Sequence, residues 1–359
     1  MDRASAVAWG GLWALVADPA QAPLPADRDA LEPAVRRLVQ IIAPAHAALL
    51  LAPVEGRLGA ALFDTDELAR ARLYSRFRYR VQRRWAGVLA DAGIDTVYLK
   101  GFANAHVLYE TPEDRSSGDL DVLVRPRDLS RAIACLAVHG FRFRAGAGRP
   151  WGFTATASWA PYVSADGACN VDLHTAGDNA PADRALSADA IFGAARTVET
   201  AGWPIRVPSF EHMLALSVSN AAKDKFSIFA AKKLIDAIRV LRTAPDLDWH
   251  ELEAVFLAGH LAGPARAFFA LLETLGVATG APLSLRRVPG GLARGEFRRL
   301  VAETRALYPD ELGDFATLRR EWLLAAEPSV ALRRVGRRLK GLWRPATGVP
   351  EIAAGPAKG

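Results

Sequence analysis

The triplet Asp119-Leu120-Asp121 constrains this chain more than any other feature. It opens a β-type run, Asp119 to Val124, in which alternate residues share a face. Both carboxylates therefore project together while Leu120 turns to the core. Two neighbouring carboxylates repel unless a cation neutralises them, and Mg²⁺ takes one or two carboxylates together with water and substrate phosphates. About twenty residues upstream, a second β-run, Thr96 to Leu99, leads through Lys100-Gly101 into a helical stretch from Phe102 to Tyr109. Glycine admits a phosphate close to the backbone, a helix start offers free N–H groups, and Lys100 adds a positive charge. Downstream, Val171-Asp172-Leu173 places a third carboxylate on another β-run. Three carboxylates beside a phosphate-binding turn match the needs of two-metal phosphoryl or nucleotidyl transfer.

Periodicity divides the rest of the 359 residues. Residues 1–92 read as a helical region. Leu31, Val35, Leu38, Ile41 and Ile42 recur at helical spacing until Pro44. A stronger helix begins at the capping pattern Asp64…Glu67 and stops at Gly93. Its apolar positions, Leu68, Leu73, Phe77, Val81, Trp85 and Leu89, are expected to face inward, with its seven arginines on a solvated face. Residues 93–207 read β-α-β-α-β-β-β, with later strands at Phe141–Phe143, Trp151–Trp159 and Cys169–His174 and a helix from Pro126 to Gly140. Residues 208–329 are helical again, with Ser209 as an N-cap and further helices over Ile228–Leu241 and Trp249–His260. The expected class is α+β: a small mixed β-sheet with packed helices, flanked by N- and C-terminal helical regions.

The net charge of +6 lies in one place. Val330 to Gly359 holds seven basic residues and one acid, which leaves 38 of each in residues 1–329. A nucleic-acid binder with a basic surface throughout is thereby excluded. Within 330–359, Leu332, Val335, Leu339, Leu342 and Trp343 form a stripe beside five basic residues. This predicts a basic amphipathic helix that docks on the body or contacts an acidic partner or membrane surface, followed by a disordered tail. Cys135 and Cys169 fit neither a disulfide framework nor a zinc site, and the seven histidines show no ligand spacing. No apolar run reaches the ~18–20 residues of a membrane span. The apolar segment Ala6–Ala17 lacks the basic flank of a signal peptide, so it reads as a helix packed on the body of a cytoplasmic protein.

The sequence YLKGFANAHVLYETPEDRSSGDLDVLVRP, then His139-Gly-Phe-Arg142 and Val171-Asp-Leu-His174, resembles the uncharacterised nucleotidyltransferase family of the polymerase-β superfamily. The resemblance spans roughly residues 94–281, with Asp-x-Asp its most specific part. It implies a Mg²⁺-dependent transfer of a nucleoside monophosphate from an NTP to an acceptor hydroxyl on a small molecule, a peptide or protein, or an RNA end. In that reading Asp119, Asp121 and Asp172 hold two ions, and Asp172 also serves as acceptor base. Lys100 and Gly101 cradle the β- and γ-phosphates, and Arg115 steadies phosphate or the metal loop. Lys223 is the candidate triphosphate lysine, its plain alternative being that Lys223 and Lys225 form a solvated helix end. His174 shares a face with Asp172, and Asp236 is read as structural, paired with Lys232 or Lys233 one turn away. Two departures stand out: Gly101-Phe102 replaces the superfamily's Gly-Ser or Gly-Gly, and Asn220 stands where relatives carry His. The rival class is a nucleotidyltransferase fold that binds without catalysing, against which the three intact aspartates argue.

Overall fold

Local chemistry sets the element ends in the computed structural model, which describes residues 13, 15, 16, 22, 24, 31–143, 162–200, 203–307 and 312–333. The first helical run does break at Pro44: Glu32–Ile42 (α1) ends at Ala43, with φ 82°, and Pro44 opens Pro44–Leu58 (α2). Asp64 is extended, and its side chain accepts from the Glu67 amide at 2.8 Å, starting Thr65–Asp91 (α3) where the capping pattern placed it.

The inward face of α3 differs from expectation. Leu73 and Phe77 are 67% and 53% exposed, while Ser75, Tyr79, Gln82, Trp85, Ala86 and Leu89 are buried. Polar contacts explain the rotation. Tyr79 Oη donates to the Arg115 carbonyl at 2.7 Å and Gln82 Nε2 to the Asp119 carbonyl at 3.2 Å, so the helix turns hydrogen-bonding side chains toward the loop it supports. Its arginines are not all solvated either: Arg72 pairs with Asp114 at 3.0 Å, and Arg78 donates to the Gly118 carbonyl.

The chain then forms Thr96–Tyr98 (β1), Lys100–Leu108 (α4), Asp119–Val124 (β2), Leu129–Val138 (α5), Arg142–Phe143 (β3), Tyr162–Val163 (β4) and Asn170–His174 (β5). The five strands lie in the order β1-β2-β5-β4-β3. β2 and β5 are parallel and the other pairs antiparallel, which makes the expected small mixed sheet. The expected strand over Trp151–Trp159 lies outside the described residues. Sequence reading missed a hairpin, Arg196–Thr200 (β6) with Trp203–Val207 (β7), that follows the short helix Ala188–Gly193 (α6). Its signal was the alternation of Trp203, Ile205 and Val207, of which the last two are buried.

Helices complete the body: Phe210–Lys223 (α7), Ala231–Thr243 (α8), Trp249–Ala258 (α9), Ala262–Thr274 (α10), Leu283–Arg286 (α11), Gly291–Arg305 (α12) and Asp314–Arg320 (α13). Ser209 caps α7 as expected, accepting from the His212 amide at 3.2 Å. Every residue of α7 from His212 to Ala222 is buried, so this helix is the axis around which the others pack. One apolar cluster joins Trp13, α1 and α2 to α7–α10 and Leu324. A second lies between the sheet and α3 and α5. Among the described residues no helix is long and apolar enough to cross a membrane. Helical residues continue to Arg333, whose Nε donates to the Ser329 carbonyl; the rest of the basic amphipathic helix and the tail lie outside the described residues.

Trp13, Leu15 and Val16 are almost wholly buried, and the Trp13 indole donates to the Thr304 carbonyl at 2.6 Å. These three residues thus pack on the body; the rest of Ala6–Ala17 lies outside the described residues. Trp13→Ala is expected to cost about 3–5 kcal/mol of unfolding free energy, read from the midpoint of a denaturant titration.

Candidate active site

The parallel ladder between β2 and β5 brings the chemistry together. Its register sets Asp121 directly beside Asp172 and Leu123 beside His174. Because strand residues two apart share a face, Asp119, Asp121, Asp172 and His174 all project to one side. One ligand atom from each of Asp121, Asp172 and His174 lies within 4.8 Å of the others. Asp119 lies at the exposed start of β2, where Asn170 Nδ2 donates to its Oδ1 at 3.2 Å. It lines the same cleft but stays outside that close group. His174, which sequence reading placed near the site, is therefore nearer its centre than Asp119.

Lys100 completes the cluster. Its Nζ lies 2.6 Å from Asp121 Oδ1 and 3.4 Å from His174 Nε2, and His174 Nε2 is 2.8 Å from the same Asp121 oxygen. Burial alone raises the Asp121 carboxyl, but the Lys100 charge and the His174 hydrogen bond outweigh it and hold Asp121 well below the usual carboxylate range. For Asp172 the charges of Lys100 and Lys223 pull the same way but do not prevail. Burial, with the charges of Asp121 and Asp119 next, pushes it up to about 7. Its Oδ1 is buried without a hydrogen-bond partner.

The turn that aims Lys100 is tight. Lys100 sits at φ 51°, a left-handed conformation that costs a non-glycine residue roughly 1–2 kcal/mol. At Gly101 a Cβ would come within 2.7 Å of Ser117 Oγ, so glycine is needed for the loop to close over the start of α4. Ser117 in turn donates to the Asp119 carbonyl at 2.9 Å.

Arg115 anchors that loop from below. Its Nε and Nη2 donate to the two carboxylate oxygens of Asp236 at 2.9 and 2.7 Å, and Nη1 donates to the Ser116 carbonyl at 2.5 Å. Both partners are almost fully buried. Asp236 also accepts from Asn104 Nδ2 at 2.9 Å and Tyr109 Oη at 3.0 Å, while Tyr109 Oη meets His46 Nε2 at 2.8 Å. The expected pairing of Asp236 with Lys232 or Lys233 is thus replaced by a bidentate pair with Arg115. Planarity explains the exchange, since guanidinium matches both carboxylate oxygens at once. These contacts hold the loop that leads into β2 and engage all three guanidinium nitrogens of Arg115.

Across a cleft of about 300 Å³ the carboxylates face cations on α7 and α8. Lys223 is exposed and lines the cleft, whereas Lys225 is buried, its Nζ donating to the Lys223 carbonyl at 2.9 Å, so the two lysines are not a solvated pair. Sequence reading missed Lys232 as a cleft residue. Burial, then the nearby Arg115 charge, lowers it to about 8. Its signal was the i, i+4 spacing to Asp236, which puts both on the cleft side of α8. Asn220 also lines the cleft, its Nδ2 donating back to the Leu216 carbonyl at 2.7 Å.

The donor set fits a divalent cation. Two carboxylates and an imidazole converge, a buried carboxylate oxygen lacks a partner, and a lysine ammonium is already drawn among them. A family model described as an uncharacterised nucleotidyltransferase matches residues 65–275, from the start of α3 to the end of α10. The chain belongs to this family. The match extends the resemblance read from the sequence upstream to include α3, the helix that carries the metal loop on its inner face. No curated protein matches the chain significantly.

Two outcomes follow. The folded state holds the Asp172 proton more tightly than the unfolded chain does. The resulting stability cost is absent below the ordinary carboxylate range and grows as pH rises from about 4 to about 7. Asp172→Asn is therefore expected to raise stability above pH 7 by about 2–4 kcal/mol and to leave it little changed at pH 4, as read by melting temperature across pH. Arg115→Met leaves Asp236 without its cation and is expected to destabilise the protein by about 3–5 kcal/mol in the same assay.

Proposed function

We propose that this chain transfers a nucleoside monophosphate from an NTP to an acceptor hydroxyl, with Asp119, Asp121 and Asp172 holding divalent ions for which Mg²⁺ is the abundant candidate. The observation that carries the reading is the register of β2 with β5, which sets Asp121 and Asp172 side by side at a cleft walled on its far side by lysines. Bound cations at these carboxylates supply charge neutralisation to the attacking and leaving oxygens.

The protein's own groups do the rest. Asp172, with a buried oxygen free of any partner in the protein, accepts the proton of the acceptor hydroxyl as it attacks the α-phosphorus. Lys223 and Lys232 hold the negative charge of the β- and γ-phosphates as pyrophosphate departs. Gly101 lets those phosphates approach the start of α4. Lys100 keeps Asp121 ionised, and the Arg115 clamp fixes the loop that ends at Asp119. The acceptor is a hydroxyl on a small molecule, a peptide or protein, or an RNA end.

The test follows radiolabel from α-labelled NTPs into cell-extract acceptors in the presence of Mg²⁺. Transfer is expected for the wild type and loss of about 10²-fold or more for Asp121→Asn and Asp172→Asn. Undiminished transfer by Asp121→Asn sinks the metal assignment. Lys232→Met is expected to raise the KM for NTP with a smaller change in kcat.

A further inference from the structure

The donor atoms around Lys100 Nζ are not all oxygen. The ammonium lies between Asp121 Oδ1 at 2.6 Å and His174 Nε2 at 3.4 Å. A cation is therefore already held at a point bounded by a carboxylate oxygen and an imidazole nitrogen. Two ligands at right angles on a small divalent ion, each about 2.0–2.2 Å from it, stand about 3 Å apart. His174 Nε2 and Asp121 Oδ1 are 2.8 Å apart, a hydrogen bond whose proton a bound ion would replace. The third corner is Asp172, whose Oδ1 is buried and has no hydrogen-bond partner in the protein.

His174 is also held as a ligand must be. It is 2% exposed at the end of β5, with its backbone in register beside Leu123. The ring therefore reaches the cluster from a rigid ladder rather than from a loop. Asp119, the carboxylate that the Asp-x-Asp pattern puts forward, is engaged by Asn170 and lies outside the close group.

We infer that His174 Nε2 is a direct ligand of the divalent ion held by Asp121 and Asp172, and that this mixed nitrogen–oxygen position takes a first-row transition cation such as Mn²⁺ in preference to Mg²⁺. The inference rests on the reading above that the cluster holds a divalent ion. Mg²⁺ is bound through oxygen and gains little from imidazole, whereas first-row transition cations accept both donors.

The test reads coordination, not turnover. Mn²⁺ is bound to the full-length protein without nucleotide, and its electron spin-echo modulation is recorded. The wild type is expected to show ¹⁴N modulation from a directly bound imidazole, lost in His174→Gln and retained in Asp119→Asn. Manganese sites made only of carboxylates also outcompete magnesium, so the ratio of Mn²⁺ to Mg²⁺ affinity is measured by competition in both proteins. It is expected to fall about tenfold or more in His174→Gln. Mn²⁺ bound to the wild type without nitrogen modulation overturns the assignment, and this spectrum decides even if His174→Gln does not fold. An affinity ratio unchanged in a folded His174→Gln overturns it as well. Nitrogen modulation together with a failed transfer assay leaves the ligand assignment standing and removes the transferase reading, while no manganese binding at all overturns both.

Discussion

A buried ion pair between Arg115 and Asp236 joins the two halves of this molecule. Arg115 belongs to the loop that leads into the strand of Asp119 and Asp121, and Asp236 belongs to a helix of the α-helical body. Neither charge tolerates burial alone, so each fixes the position of the other. Asn104, Tyr109 and His46 extend the contact into α4 and α2, and burial with the nearby Arg115 charge keeps the His46 ring well below its ordinary pKa and so neutral. The loop, the turn at Gly101 and the carboxylate of Asp119 inherit their placement from this pair.

The electrostatics of the cluster separate two carboxylates that the ladder makes neighbours. Asp121 takes hydrogen bonds from a lysine and a histidine and stays ionised; Asp172 feels Lys100 and Lys223 only through their charge, and its burial prevails and raises it. Environments that push like groups apart in this way suit one for constant charge and the other for proton exchange. The cost falls on the protein, which keeps a destabilising carboxylate at its centre, the usual balance between stability and a poised site.

Much of this was legible in the sequence because it is local. The alternation in Asp119–Val124, the capping residue Asp64, the break at Pro44 and the turn at Lys100-Gly101 each depend on neighbours within a few residues. What was not legible depends on partners far apart. An aspartate on an otherwise apolar helix did announce a buried charge, but nothing local could say that its cation lies 121 residues away. The inward face of α3 was misjudged because hydrophobicity ranks Leu73 and Phe77 above Gln82, whereas the helix is oriented by Tyr79 and Gln82 bonding to loop carbonyls. His174 joins Asp121 and Asp172 more closely than Asp119 does for a related reason: strand alternation gives the face of a side chain but not its distance from the others.

The parallel pairing of β2 with β5 also governs when the site can exist. Parallel neighbours cannot be joined by a tight turn, and here Asp121 and Asp172 meet across an excursion that includes α5, β3 and β4. A nascent chain that has released Asp121 carries half a site until the residues through His174 have followed and the sheet has closed. The clamp needs Asp236, later still. The cluster is therefore completed late in synthesis, and fragments ending before α8 lack the counter-charge that Arg115 requires.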